Sequence, residues 1–219
     1  MCGRFTQTRS KQDIQKRFNV TKVPEATGGL YNVAPDADVP VILNAAPGEV
    51  TLARWGLVPS WSKEPKTTYS MINARAETLL EKPSYKRLIA KRRCLVIADS
   101  FYEWKKTDGK KQPYRIMLND GGLFAFAGLW DLWEKEGNAL ISCSIITTSP
   151  NALVSKIHDR MPVILPQDLE KAWLSDIPVE QAMAALRSYD AGVMKVYPVS
   201  TAVNNPSNNA PEIIVPLGE

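Results

Sequence analysis

The segment that decides the fold is residues 93–148, which read RCLVIADSFYEWKKTDGKKQPYRIMLNDGGLFAFAGLWDLWEKEGNALISCSIITT. It is a series of runs rich in β-branched and aromatic residues. The runs are separated by Asp108-Gly109, Asp120-Gly121 and Gly137-Asn138. Such pairs between apolar runs are typical of tight β-hairpin turns. The segment therefore predicts successive antiparallel strands joined by hairpins.

Shorter elements flank this strand-rich segment. Strand-type patterns occur in three further places, residues 39–44, 50–58 and 194–200. Helical spacing occurs in four others, residues 10–18, 78–92 (interrupted near Pro83), 167–174 and 179–187. Many short strands with a few helices predict an α+β fold with a mainly antiparallel, barrel-like β-sheet core and flanking short helices. Because no repeat or linker divides the chain, we expect a single domain over residues 1–219.

The composition is that of an ordinary globular protein. The chain of 219 residues is 44% hydrophobic and carries a formal net charge of +4, which permits a polyanionic partner without requiring one. No apolar run reaches the ~20 residues needed to cross a bilayer, and the basic N-terminus lacks the apolar segment of a signal peptide. We therefore expect no membrane association and a cytoplasmic location.

The cysteine and histidine counts limit the available chemistry. Cys2, Cys94 and Cys143 are an odd number without disulfide-framework spacing, which favours reduced thiols. Cys94 and Cys143 lie in apolar runs and are predicted to be core residues. Since His158 is the single histidine, no metal site is expected. The sequence contains no glycine-rich phosphate loop, and we expect no cofactor.

Cys2, which is followed by Gly3, carries the most distinctive chemistry in the sequence. Methionine before a small residue is commonly removed, and removal of Met1 would give Cys2 a free α-amine beside its thiol. An α-amine titrates near ~7.7–8.0 and a lysine near ~10.4, so the α-amine is far more often neutral at pH 7. A neutral amine condenses with an aldehyde, and the thiol can close on the imine to form a thiazolidine ring. The alternative interpretation is a Met-Cys start that arose by chance.

Two segments hold candidate polar groups on predicted strands. Asn73, Arg75 and Glu77 alternate along a segment expected to be extended, so their side chains would share one face. That face suits either an anionic substrate or a solvent-exposed salt bridge. Glu103 is flanked by large aromatic residues, including Trp104, which favours burial and a raised pKa suited to proton transfer. An exposed glutamate is the commoner alternative.

Two loops hold the other candidates. His158 begins the polar cluster His158-Asp159-Arg160, where it suits either proton transfer or a structural hydrogen bond. Trp55 is predicted to be core, whereas Trp61 lies in a polar loop and is a candidate stacking ring for an unpaired base. Four lysines near the predicted hairpin at Asp108-Gly109 are interpreted as a solvated tip: Lys105, Lys106, Lys110 and Lys111.

Together these segments resemble one family, the SRAP proteins (SOS-response-associated peptidases), which are understood as abasic-site processing proteins. Six motifs carry the resemblance, in the order expected: Cys2-Gly3-Arg4-Phe5, Tyr31-Asn32-Val33-Ala34-Pro35, Trp55-Gly56-Leu57-Val58-Pro59, Asn73-Ala74-Arg75-Ala76-Glu77, Phe101-Tyr102-Glu103-Trp104 and His158-Asp159-Arg160-Met161-Pro162. Residues 204–212 resemble the C-terminal signature of the family. The resemblance covers essentially the whole chain, whose length is similar to that of a bacterial or phage member.

The resemblance implies covalent capture of abasic sites in single-stranded DNA. The ring-opened sugar is an aldehyde, which a trimmed Cys2 would convert into a thiazolidine-linked DNA–protein crosslink. The imine intermediate implies an accompanying lyase activity, and the peptidase name implies removal of Met1, including by the protein itself. We expect a monomer whose partner is single-stranded DNA that contains abasic sites.

The resemblance also assigns roles to individual residues. Asn73 would position the N-terminal residue or the sugar, Glu103 would shuttle protons, and His158 would assist opening of the sugar ring. Four side chains would contact DNA, with arginines on phosphates and tryptophans on bases: Arg4, Arg75, Trp61 and Trp104.

Two other classes of function stay open from the sequence. An N-terminal-nucleophile amidohydrolase would also use a trimmed cysteine, with the thiolate attacking an amide and the α-amine acting as the base. It would turn over glutamine without forming a DNA adduct. A non-catalytic nucleic-acid-binding module would bind equally well after Cys2→Ala and would form no covalent adduct.

Overall fold

The computed structural model describes residues 2–66, 71–107 and 109–218. The strands are β1 (Phe5–Gln7), β2 (Leu30–Val33), β3 (Asp38–Leu43), β4 (Thr51–Trp55), β5 (Asn73–Arg75), β6 (Arg93–Ala98), β7 (Ser100–Thr107), β8 (Lys110–Leu118), β9 (Phe124–Lys135), β10 (Asn138–Thr148), β11 (Met161–Pro162), β12 (Ile164–Leu165) and β13 (Met194–Pro198). The α-helices are α1 (Lys11–Phe18), α2 (Pro83–Lys91), α3 (Gln167–Trp173) and α4 (Val179–Ala184). Short 3₁₀ helices include Ala76–Thr78 and Val154–Lys156.

Five strands form a closed barrel at the centre of the fold. β10, β4, β3, β6 and β9 are hydrogen-bonded in that order, and β9 pairs back with β10 to close the ring. The β4–β10 pair is parallel, and the other pairs of the ring are antiparallel. A second, antiparallel sheet has the order β13-β8-β7-β1-β2. The predicted α+β fold, with a mainly antiparallel, barrel-like core and short flanking helices, is confirmed.

Alternate side chains of the barrel strands enter two different apolar cores. On β3, Val41 belongs to the core shared with the second sheet, whereas Ile42 belongs to the core shared with the helices. Phe5 of β1 meets Trp55 of β4 with ring centroids 5.0 Å apart in an edge-to-face arrangement. This contact helps to seat the second sheet on the barrel, and it confirms Trp55 as a core residue.

The predicted helices are present, with adjusted ends. Ser10 caps α1 by a capping box, in which its side chain accepts from Asp13 N–H and the Asp13 carboxylate accepts from Ser10 N–H. Pro83 lies in the first turn of α2, so it begins that helix and does not interrupt it. α4 ends at Ala184, short of the predicted end at residue 187. No helix within the described ranges is both long and apolar enough to span a membrane.

One of the three predicted hairpins is wrong. β7 pairs with β8 around Gly109, and β9 pairs with β10 around Gly137, as predicted; Asp108 itself lies outside the described residues. Asp120-Gly121 does form a turn, in which Gly121 has a φ of 67°. The strands on its two sides, however, belong to different sheets. A turn pattern reports a local reversal of the chain and carries no information about which strand the next one will pair with.

The segment after β13 closes the free edge of the second sheet at β2. Asn209 Oδ1 accepts from the backbone N–H groups of Tyr31 and Asn32, at 2.7 and 3.2 Å. The Asn32 side-chain Nδ2 in turn donates to three carbonyls of this segment, those of Val203, Asn205 and Asn208. Side-chain amides thus take the place of a further strand and protect the edge.

Candidate active site

Cys2 lies just before β1 and is wholly buried. Asn73 Nδ2 donates a hydrogen bond of 2.7 Å to the carbonyl oxygen of Cys2. The Cys2 Sγ lies 3.8 Å from the carbonyl oxygen of Arg4. Burial raises the pKa of the Cys2 thiol, and the nearby charge of Glu103 raises it further. The thiol is therefore protonated at neutral pH.

Backbone pairing brings Glu103 beside the start of the chain. Phe5 of β1 lies opposite Phe101 of β7, and Tyr102 N–H donates to the carbonyl of Arg4 at 2.9 Å. Because side chains alternate along a strand, Glu103 shares the face of Phe101, which packs in the same apolar core as Cys2. The strand period thus directs the Glu103 carboxyl group toward Cys2.

Glu103 has the titration range of a proton-transfer group. Its side chain is 3% exposed, and burial raises its pKa to about 7. A carboxyl group with this pKa is present in both the acid and the base form at neutral pH. Its burial and raised pKa agree with the expectation from the flanking aromatic residues, whereas its role in proton transfer stays a prediction.

His158 follows the 3₁₀ helix Val154–Lys156 and lies next to Glu103. Its Nε2 is 3.9 Å from Glu103 Oε2. On the other side of the ring, Nδ1 accepts a 3.0 Å hydrogen bond from the backbone N–H of Arg160. Burial lowers the pKa of His158 below its ordinary value of 6.5. The imidazole is therefore neutral at pH 7, where it can both donate and accept a proton.

Asn73 is held by two neighbouring elements. It begins β5 opposite Ile145 of β10, and the Tyr85 hydroxyl of α2 lies 3.3 Å from its carbonyl oxygen. Its side-chain Oδ1 is buried and has no hydrogen-bond partner in the described part of the chain. Leaving a buried acceptor unsatisfied is unfavourable. A donor that arrived here, such as an N–H of an N-terminal α-amine, would relieve that penalty.

A cavity of about 290 Å³ lies beside these groups. Its lining consists of Gly3, Arg4, Glu103, Trp104, Lys106, Lys111 and His158. Cavities of about 720 and 520 Å³ elsewhere on the molecule contain none of these residues. The smaller cavity thus combines titratable groups, an aromatic ring and cationic side chains next to the N-terminal segment.

Lys106 and Lys111 are exposed beside the β7–β8 turn, as predicted, and they also line this cavity, which we did not predict from the sequence. Lys106 of β7 lies directly opposite Lys111 of β8. Like charges placed opposite each other destabilise a sheet, but here they give the cavity a positive wall that suits an anionic ligand. The strand register places both lysines on the same face of the β7–β8 hairpin, which is also the face of Trp104. Counting cross-strand pairs back from Gly109 could have identified them from the sequence.

Arg4 and Trp104 reach the cavity and are also tied to the C-terminal segment. Arg4 Nη1 donates to Asn32 Oδ1 at 2.7 Å and to the carbonyl of Val203 at 2.8 Å. Trp104 Nε1 donates to Asn204 Oδ1 at 2.7 Å. The Arg4 guanidinium lies 5.9 Å from the centre of the Trp104 ring. These contacts fix both side chains at the rim of the cavity.

Arg75 and Trp61 lie outside the cavity lining. Arg75 is exposed at the end of β5. Trp61 is 70% exposed in the loop after β4, which confirms its predicted exposure. Contact of either side chain with DNA stays a prediction.

The extended face predicted from Asn73 to Glu77 is wrong in its second half. β5 pairs with β10 only as far as Arg75, so the ladder does not hold the following residues extended. The chain turns into the 3₁₀ helix Ala76–Thr78, and Glu77 leaves the shared face. It forms a bidentate ion pair with Arg160, at 2.7 and 2.9 Å.

We searched the described residues for side chains that could ligate a metal ion. Across residues 2–66, 71–107 and 109–218, no group of three or more His, Cys, Asp and Glu residues is placed to hold a metal ion.

Comparison with known families identifies the class of protein. A family model described as SOS response associated peptidase (SRAP) matches residues 1–206. The chain belongs to the SRAP family, which confirms the resemblance carried by the six motifs.

Individual relatives match over nearly the whole chain. The abasic site processing protein YoqW of Bacillus subtilis strain 168 is 48% identical, over 98% of this chain and 99% of its own length. The abasic site processing protein HMCES of Mus musculus is 33% identical, over 99% of this chain and 76% of its own length. A solved structure of a Bacteroides thetaiotaomicron protein superposes with a TM-score of 0.89 at 28% identity, over 98% of this chain and 99% of that one.

Proposed function

We propose that this protein acts as a monomer that captures abasic sites in single-stranded DNA through a covalent thiazolidine link to Cys2. Two relatives are named abasic site processing proteins, and the site has the groups that such a reaction needs. The observation that carries the proposal is the location of Glu103, a buried acid with a pKa of about 7, beside both Cys2 and a cationic cavity.

The first step makes an imine. After hydrolysis of the Met1–Cys2 peptide bond, the neutral α-amine of Cys2 attacks the aldehyde carbon of the ring-opened sugar. The carbinolamine then loses water when Glu103 in its acid form donates a proton to the departing hydroxyl. The amine acts before the thiol because burial keeps the thiol protonated. Asn73 Oδ1, an acceptor without a partner in the described structure, would orient the amine.

The second step closes the ring. Acid-catalysed loss of water leaves the imine protonated on nitrogen. Glu103, now a carboxylate, takes the thiol proton while sulfur bonds to carbon, and the π electrons of the C=N bond become the lone pair of the ring nitrogen. The overall reaction joins protein and DNA with the loss of one water.

The imine has a second fate, which is strand cleavage. If a base removes a proton from the sugar carbon next to the imine, the C–O bond to the 3′ phosphate breaks and the phosphate leaves. Glu103 and His158, whose facing atoms are 3.9 Å apart, are the groups placed to take that proton. His158 would also assist the opening of the sugar ring by contacting the sugar hydroxyl. We therefore propose a lyase activity at the same site.

We also propose that the protein itself removes Met1. Hydrolysis of the Met1–Cys2 bond consumes one water and frees the amine on which the capture depends. The family name, SOS response associated peptidase, supports a peptidase activity of this kind.

The proposal is tested with three single-stranded oligonucleotides: one with an abasic site, one undamaged, and one with a tetrahydrofuran analogue that cannot open to an aldehyde. On a denaturing gel, only the first should give a shifted band that survives heating. Its mass should equal protein plus DNA minus one water. Protein that retains Met1 should give no band. An equal band with the tetrahydrofuran analogue, or glutamine hydrolysis without any adduct, would contradict the proposal.

The cationic wall gives a separate prediction about DNA affinity. The double variant Lys106→Gln/Lys111→Gln should bind undamaged single-stranded DNA more weakly. The slope of log affinity against log salt should become shallower by roughly 0.7 for each phosphate that the variant no longer neutralises. Titration by fluorescence anisotropy at several salt concentrations measures both quantities.

The matched control is Lys22→Gln/Lys171→Gln, which removes the same charge from residues that do not line the cavity. Its slope should equal that of the unmodified protein. If both double variants lower the slope equally, the effect comes from net charge alone and the lysine pair has no specific role.

A further inference from the structure

Glu77 and Arg160 join two segments that are far apart in the sequence. The ion pair is bidentate, with Arg160 Nη1 on Oε1 and Nη2 on Oε2. The Arg160 side chain is 15% exposed, and its Nη2 also donates to the carbonyl of Thr147 at 2.7 Å. The guanidinium is therefore held from two directions, by the 3₁₀ helix after β5 and by the last residues of β10.

The backbone of the same arginine contacts the imidazole. Arg160 N–H donates to His158 Nδ1 at 3.0 Å across a two-residue turn. A neutral imidazole that accepts at Nδ1 carries its proton on Nε2. Nε2 is the atom that lies 3.9 Å from Glu103 Oε2. With the Arg160 N–H on Nδ1, the imidazole proton would therefore face Glu103 from Nε2.

A competing contact makes this choice meaningful. The Asp159 carboxylate lies 2.9 Å from the same Nδ1 and its side chain is 88% exposed. A carboxylate favours a proton on Nδ1, whereas a backbone N–H favours a bare Nδ1. The other charged groups that line the cavity with His158 are Glu103 and the cations Arg4, Lys106 and Lys111. The Asp159 carboxylate and the Arg160 N–H thus compete for the same ring nitrogen.

We propose that Glu77 is a positioning residue for His158: its ion pair with Arg160 holds the Arg160 N–H on Nδ1 and keeps the imidazole proton on Nε2, facing Glu103. The importance of this tautomer for DNA capture rests on the proposed function. The tautomer itself does not, because it can be observed without DNA.

The test uses the fact that His158 is the single histidine of the chain. In protein without a histidine tag, the imidazole ¹⁵N resonances need no assignment and report the tautomer directly. At a pH above the His158 pKa, the unmodified protein should show predominantly the Nε2–H form. Glu77→Gln should shift the tautomer ratio toward Nδ1–H by up to about fivefold, the upper end of what a partly exposed ion pair contributes. Glu77→Asp, which keeps the charge, should restore most of the ratio.

The control is Glu49→Gln, which removes a similarly exposed glutamate paired with Lys22 at 3.3 Å. It should leave the tautomer ratio unchanged. An unchanged ratio in Glu77→Gln would overturn the inference, even if DNA crosslinking slowed, because Glu77 would then act elsewhere. A changed ratio in a protein that forms no adduct with abasic DNA would support this inference while the proposed function failed.

Discussion

Replacement of Cys2 by alanine is expected to remove the heat-stable DNA adduct completely while leaving a trapped intermediate detectable. Alanine at the trimmed terminus still has an α-amine, so the imine can form. It has no thiol, so the ring cannot close. Borohydride, which reduces imines, should therefore convert an otherwise absent band into a strong one. The Cys2→Ala variant with and without borohydride thus distinguishes the contribution of the α-amine from that of the thiol, and the adduct is measured on a denaturing gel.

A second cysteine provides the control for this experiment. Cys94→Ala removes another fully buried thiol from the same apolar core, on β6, where no α-amine lies on the same residue. It should lower stability by roughly 1 kcal/mol and leave the adduct intact. A Cys2→Ala protein that still gave the heat-stable band without borohydride would exclude the thiazolidine, since no ring could account for it.

Glu103→Gln is expected to slow adduct formation about 100-fold, a typical contribution of general acid–base catalysis. Glutamine keeps the size and polarity of the side chain and cannot transfer a proton at neutral pH. Both proteins should be released from a cleavable leader so that each begins at Cys2, which separates crosslinking from removal of Met1. The measurement is the single-turnover rate of adduct formation from pH 5.5 to 8.5. The unmodified protein should show an inflection near pH 7 that the variant lacks, because burial places the Glu103 pKa at about 7.

The same substitution should stabilise the protein at alkaline pH. Burial raises the pKa of Glu103 from 4.5 to about 7, so the folded state keeps a proton that the unfolded chain has already lost. The folded state thus binds more protons between these two values, and stability falls as pH rises through that window. Glutamine does not titrate, so the variant should lack this loss of stability with rising pH. At pH 8 the variant should therefore be more stable by up to about 3 kcal/mol, measured by denaturant unfolding.

Glu170→Gln is the matched control, because burial also raises the pKa of Glu170. Glu170 accepts two hydrogen bonds from Arg17, of 2.9 and 2.7 Å, and lies outside the cavity. Its loss should destabilise the protein and leave the crosslinking rate unchanged. Equal rates for Glu103→Gln and unmodified protein would remove Glu103 from the proton-transfer role.

Local patterns predicted the elements well where the chain itself decides the conformation. Ser10 and Asp13 specify the start of α1 because a capping box is a contact within one turn. Strand pairing around Gly137 followed from the turn chemistry of two residues. The hairpin predicted at Asp120-Gly121 is wrong, although the turn itself is present. The turn is local, whereas the choice of sheet for β9 depends on barrel closure between β9 and β10.

The candidate site shows the same difference between local features, which the sequence predicts, and long-range contacts, which it does not. Glu103 was identified because flanking aromatic residues predict burial, and burial is what shifts its pKa. The contact between Glu77 and Arg160 spans 83 positions in the chain. A salt bridge was one of the two alternatives left open for the segment Asn73 to Glu77, but no periodicity within either segment identifies Arg160 as the partner of Glu77. Long-range pairs of this kind become visible only when the fold has brought their segments together.

The amide ladder between β2 and the segment after β13 has a consequence for biosynthesis. Val203, whose carbonyl anchors Arg4, is added by the ribosome 199 positions after it, and Asn204, which holds Trp104, comes next. During translation the N-terminal segment is therefore made long before the residues that form the rim of the cavity. The rim can form only after residues 203 and 204 have left the ribosome.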